Sequence, residues 1–127
     1  MSLPIVGAHF RPPSKALLSV LPAGTALLAR PEPENPHDPN AIMVVLPTGS
    51  IPHTHRDAIA TAVAGYGFSS DDIFEAAEWH LGYIPAKIAV FLAPKLDGQE
   101  APGTLTFDLA GKPKISLPIG EEFGEPS

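Results

Sequence analysis

Sixteen prolines and eleven glycines cut this chain of 127 residues into short apolar runs. Proline removes a backbone donor and fixes φ, and glycine admits backbone shapes that end regular structure. A chain punctuated this often has little room for long helices and reads as short strands joined by turns. A hydrophobic share of 44% with 17% charged residues makes it a globular chain with a core to bury. At this length one domain is expected, burying roughly two-thirds of the surface of its unfolded chain.

Taken in order, residues 3–10 read as a first strand ended by Arg11-Pro12-Pro13. Residues 15–21 form a short apolar run that fits either a single helical turn or an irregular strand. Residues 25–30 read as a strand. Residues 41–46, nearly all apolar and β-branched, suit a strand buried on both faces. The stretch 54–64 is helical, with Thr54 and Asp57 as a capping-box-like start and Ala58, Ile59, Ala62 and Val63 at helical spacing. A second helix starts at Ser69 or Ser70, where Asp71 and Asp72 suit the macrodipole, and Ile73, Phe74, Ala77 and Trp79 would form its buried stripe.

Residues 80–85 read as a strand. Residues 86–96 are a helix with Ile88, Phe91, Leu92 and Leu96 inward, which Pro94 should cut short. Alternation on both sides of Ala110-Gly111-Lys112-Pro113 marks a hairpin spanning 104–119. Six or seven short strands with two or three short helices predict a mainly β fold, closed as a small barrel with helices over its ends. The expected domain is 1–119, with 51–79 as a helical insertion and 120–127 as an acidic tail.

The net charge of −6 argues against broad, non-specific binding to duplex nucleic acid, which needs many Lys and Arg contacts to phosphate. A small pocket for a strand end needs only a few. With no cysteine there is no disulfide and no cysteine-ligated metal. No apolar run approaches the roughly 20 residues needed to span a bilayer, so no membrane partner is expected. The N-terminus lacks the pattern of a signal peptide, so a cytoplasmic setting is expected.

The chemistry concentrates between residues 34 and 45. There a polar, proline-stiffened loop carrying Asn35, His37, Asp38 and Asn40 runs straight into the apolar strand. Loops held by a scaffold are where binding groups gather. The competing reading is turn chemistry, with Asx side chains bonding their own backbone, and it applies above all to Asn40. His53-Thr54-His55 with His80 raises a metal site, but spacing fixes no third ligand, and solvated loop histidines account for the pattern. There is no Gly-rich phosphate loop and no Gly-x-Ser-x-Gly elbow, so neither an enzyme nor a cofactor is expected.

The loop and its flanking strands resemble the HIRAN domain family. Ile5-Val6-Gly7-Ala8-His9-Phe10 resembles the family's opening strand, and Leu27-Leu28-Ala29-Arg30 the strand before the loop. Asn35-Pro36-His37-Asp38-Pro39-Asn40-Ala41-Ile42 resembles the central motif, usually Asn-Pro-Tyr-Asp-x-Asn-Ala-Ile. Gly82-Tyr83-Ile84-Pro85 and the helix after it resemble the Gly-Tyr-Ile-Pro segment. Gly49-Ser50-Ile51-Pro52 mimics that segment, but the second copy has the tyrosine and is assigned to the family position.

The resemblance implies an OB-like β-barrel that binds DNA without catalysis and captures the 3′ end of a single strand. Partners would be DNA-processing proteins such as a helicase or nuclease, in repair or replication. Carried over by position, Asp38 would accept a hydrogen bond from the 3′-hydroxyl, and Asn35 would shape the loop or touch the terminal nucleotide. His37 stands where the family usually has a stacking tyrosine. Tyr83 and Lys87 fall at positions that contact the strand and its phosphate, and Arg30 and Asn40 complete the set. The alternative is a protein-interaction module that docks through the acidic insertion. A metal-dependent hydrolase built on the histidines and carboxylates is a third possibility.

Overall fold

The computed structural model describes residues 1–7 and 12–118. The elements are β1 (Ser2–Pro4), α1 (Pro12–Val20), β2 (Ala26–Pro31), β3 (Ile42–Pro47), α2 (Arg56–Ala64), α3 (Ser70–Phe74), β4 (Glu78–Tyr83), α4 (Ala86–Leu96), β5 (Ala101–Phe107) and β6 (Pro113–Ser116). The six strands form one antiparallel sheet in the order β1-β6-β5-β2-β3-β4. The sheet curls until its two edges meet. Beyond β1, Val6 bridges to Tyr83 at the end of β4, with Val6 N–H donating to the Tyr83 carbonyl and the reverse, both at 2.8 Å. The result is the expected mainly β, barrel-like fold with short helices and a helical insertion.

Gly82 makes this seam possible. A Cβ placed there would lie 2.5 Å from the Val6 carbonyl oxygen and 3.0 Å from Ile5 Cγ2, closer than packed atoms approach. Glycine is used where two backbones must come this near.

The strands alternate as pleated strands must. Leu27, Ala29, Val44, Leu46, Leu105 and Ile115 face one core, joined by Leu17, Ile59, Val63 and Ile73 from the helices, by Leu21 just after α1 and by Leu81 of β4. β3 is buried on both faces, as expected. Met43 and Val45 are as inaccessible as their neighbours, yet they lie outside that core and pair in register with Arg30 and Leu28. A bulge between Val44 and Val45 lets β4 place Leu81 inward while Gly82 reaches the seam.

The insertion connects β3 to β4. It begins with short 3₁₀ turns at Thr48–Ser50 and His53–His55, continues through α2 and α3, and ends before Glu78. Thr48 Oγ1 at its start donates to the Ala76 carbonyl at its end at 2.6 Å, and beside it α1 is pinned to β4. Ser14 of α1 is fully buried, donates to the His80 carbonyl and accepts from Trp79 Nε1 at 3.1 Å. The Arg56 guanidinium lies 4.1 Å over the Phe74 ring and ties α2 to α3. The helix start expected at Ser69 or Ser70 is found, and there Ser69 caps α3 in a capping box with Asp72.

Several expectations are corrected. The first strand stops at Pro4, because proline cannot extend a ladder and Gly7 turns the chain at φ +81°; the remainder, 8–10, lies outside the described residues. Residues 12–20 form a nine-residue helix. The prolines that were to end a strand instead start a helix, where a missing N–H costs nothing. Thr54 does not cap α2: His55 is its N-cap and makes no side-chain cap bond, since the 3₁₀ turn runs directly into the helix. Trp79 lies in β4, and Ala77 is exposed.

α4 runs through Pro94 to Leu96 and ends at Asp97 with φ 51°. Its inward stripe is Ala89, Leu92 and Leu96, whereas Phe91 is 74% exposed rather than buried. Phe10 and the tail 120–127 lie outside the described residues. Among the described residues no helix is long and apolar enough to cross a membrane.

Candidate functional site

The loop 32–41 is held shut by its own polar groups. Glu32 N–H donates to the Ala41 carbonyl at 2.8 Å and pins the loop's two ends together. Asn35 organises the turn within. Its Oδ1 accepts from the backbone N–H of His37 at 2.8 Å and of Asp38 at 3.1 Å, while its Nδ2 donates to Glu32 Oε1 at 3.2 Å. Asp38 Oδ1 then accepts from Asn40 N–H at 2.9 Å, and Ala41 N–H donates to the Asp38 carbonyl at 3.1 Å to close the last turn.

These are Asx turns placed end to end between prolines. Turn chemistry therefore accounts for the Asn35 side chain and engages one oxygen of Asp38, while Asn40 takes part through its backbone N–H. Proline at 36 and 39 narrows the unfolded ensemble of the same segment.

The loop does not end at itself. Asn35, His37 and Asp38 form one wall of a cleft of about 320 Å³. Tyr83 and Ile84, at the end of β4, form the facing wall, with Val6 of the seam and Ala86 of α4 closing the sides. The volume is at the lower end of the ~300–1,000 Å³ typical of small-ligand sites. Ile84 N–H donates to the Ile42 carbonyl at 3.0 Å, so the Tyr83 wall is fixed to the start of β3, where the loop joins it.

The Gly82-Tyr83-Ile84-Pro85 copy thus meets the loop. Its mimic at 49–52 lies at the other end of β3, where Thr48–Ser50 make a 3₁₀ turn and Ile51 is buried.

Four of the seven predicted residues, Asn35, His37, Asp38 and Tyr83, are brought to this one cleft. Asn40 is half-buried at the loop's exit and contributes through its backbone. Lys87 is exposed in the first turn of α4, next to the cleft residue Ala86. Arg30 stands apart. Its guanidinium holds Glu78 through two nitrogens, one at 3.0 Å from Oε1, and holds Glu100 through Nε. Hydrogen bonding from Arg30 keeps the Glu78 carboxyl below its ordinary pKa, and the two carboxylates raise that of Arg30. Arg30 is thus committed to clamping β4 and the start of β5 across β2 and β3.

Val6, Ala41, Ile84 and Ala86 were not foreseen as cleft residues. They are ordinary apolar residues, and Val6, Ile84 and Ala86 enter the cleft only because the sheet closes on itself. Among the described residues no three His, Asp or Glu side chains gather as a metal site. The acids between 51 and 79 divide: Asp72 serves the α3 cap and Glu78, already in β4, the Arg30 clamp, while Asp57, Asp71 and Glu75 are exposed.

The fold has a solved counterpart. A crystal structure of a protein from Lactobacillus plantarum, determined in a structural genomics programme, superposes with a TM-score of 0.55 at 23% sequence identity, covering 91% of this chain and 87% of that one. At that identity the likeness is one of fold. No family model matches the sequence, and no curated protein matches it.

Proposed function

We propose that this protein is a non-catalytic nucleic-acid-binding module of HIRAN type that holds the 3′ end of a single DNA strand in the cleft between the loop and Tyr83. The observation that carries the reading is the meeting of Asn35, His37, Asp38 and Tyr83 in one cleft, although Tyr83 is 45 residues from Asp38 in sequence. The chemistry suits a chain end. A carboxylate accepts from a hydroxyl and repels a phosphate, so Asp38 favours a free 3′-hydroxyl over a phosphorylated end. With Oδ1 already bound to the Asn40 N–H, the carboxylate is held in place and its second oxygen can serve the ligand. His37, exposed on the loop, and Tyr83 opposite offer aromatic faces to a base. Lys87, in the first turn of α4, supplies a positive charge beside the cleft.

Fluorescence anisotropy at low salt, with short labelled strands carrying either a free or a phosphate-blocked 3′ end, tests the reading. Binding to the free end and at least tenfold weaker binding to the blocked end is expected. Equal binding, or none to either, overturns it.

The exposed carboxylates of Asp57, Asp71 and Glu75 on the insertion support a second reading, a protein-docking surface on the same fold. Capture of a partner that is lost on charge neutralisation at these three positions and kept in Asp38→Ala would favour it.

A further inference from the structure

On the other side of Val6 from the loop lies a second, larger cleft of about 580 Å³. Its floor is apolar, from Ile5, Val6, Leu18 and Pro113, and its rim carries Lys15 and Lys112. Lys15 and Ser19 of α1 are one helical turn apart and are exposed on the same side, while Ala16 and Leu17 are buried in the core. Lys112 comes from the β5–β6 turn, and Lys114 follows two residues on in β6. Two of the chain's eight basic residues therefore line this cleft, in a protein of net charge −6.

One acid shares the turn. Asp108 Oδ1 accepts from the N–H groups of Ala110 at 2.8 Å and Lys112 at 2.9 Å, so it is occupied by the turn itself. Its pKa lies below the ordinary value, first through the Lys112 N–H and then the Ala110 N–H, with Lys114 and Lys112 adding their positive charges. The two clefts share Val6 as a common wall. A chain that ends in the first and crosses the seam at Val6 reaches the second.

Resting on the proposed reading of the loop cleft, we infer that the Lys15–Lys112 cleft receives the nucleotides that precede the 3′ terminus. The two lysines neutralise successive phosphates, and the apolar floor supports a base. The terminal cleft holds a carboxylate and no lining lysine, so it reads the end. The second cleft would supply the affinity.

Anisotropy on oligothymidylates of two, four and six nucleotides with free 3′ ends, for the wild type and K15Q/K112Q, tests this. Both lysines are exposed, and an unchanged denaturation midpoint shows that the variant folds. The wild type should gain roughly tenfold in affinity between two and four nucleotides, with a salt slope showing about two phosphate contacts at ~0.7 each. The variant should lose that gain and about 1.4 of the slope, while keeping its preference for a free over a phosphorylated 3′ end. A variant that keeps both the length gain and the slope overturns the second cleft alone. A wild type that shows no preference for the free 3′ end overturns the reading beneath it as well.

Discussion

Replacing Gly82 with alanine tests whether the barrel is closed at the seam. The new Cβ would sit 2.5 Å from the Val6 carbonyl oxygen, a backbone atom that cannot rotate away. Relief requires the 5–7 segment to move off β4, which breaks the reciprocal Val6–Tyr83 pair of 2.8 Å hydrogen bonds. Each such bond contributes ~0.5–1.5 kcal/mol net. Loss of glycine's freedom in the unfolded chain offsets ~0.4–1 kcal/mol of this. The expected loss is therefore about 1–2 kcal/mol, read as a lower urea midpoint at unchanged slope.

The loss should be local as well as global. The amides of Val6 and Tyr83 should exchange with solvent much faster in the variant, while those of β2 and β3 stay slow. Gly49→Ala is the control, since nothing lies within 4 Å of its Cβ position, and it should change stability by less than ~0.5 kcal/mol. A Gly82→Ala protein as stable as that control, with both seam amides still protected, would refute the closure argument.

Asn35→Ala should cost about 1–2 kcal/mol in chemical denaturation and speed amide exchange at His37 and Asp38, because the side chain accepts from both. Asn35→Asp should recover most of that loss by keeping the acceptor. Asp38→Asn keeps an oxygen for the Asn40 N–H, so its midpoint should hold within ~0.5 kcal/mol while affinity for a free 3′ end drops about tenfold in anisotropy. Ser69→Ala removes half of the α3 capping box and should cost ~0.5–2 kcal/mol by the same denaturation measurement.

The Arg30 clamp should also leave a pH signature. The Glu78 pKa is depressed in the folded state, so its contribution is complete above the unfolded carboxylate value near ~4.3 and is lost as pH falls through the lower folded value. With its side chain 39% exposed, the effect should stay under ~1 kcal/mol, and Glu78→Gln should flatten that part of the stability–pH curve.

What was legible in the sequence was legible for local reasons. β3 announces itself by an apolar run with three β-branched residues, the β5–β6 hairpin by alternation around a turn, and α3 by serines followed at once by Asp71 and Asp72. The loop's chemistry is equally local, because its Asx bonds span two or three residues.

The misreadings arose where local signals were ambiguous. Residues 86–96 are apolar almost all round, so periodicity alone could not choose between Phe91 and Ala89 as the inward residue. Pro12-Pro13 carries the same letters whether it ends a strand or opens a helix. The long-range features had no local signal at all. Glu78 and Glu100 lie 48 and 70 residues from Arg30, and nothing in Val6 marks it as the partner of Tyr83. The cleft is a product of that closure, so the sequence could nominate its loop wall and Tyr83 but not the residues between them.

The most direct test of the central claim is an NMR titration of the ¹⁵N-labelled protein with a dinucleotide bearing a free 3′-hydroxyl. Saturable shifts at the amides of His37, Asp38, Asn40, Tyr83 and Ala86, with α2 and α3 unmoved, are the predicted result. Shifts confined to the insertion, or none at all at millimolar dinucleotide, would contradict it.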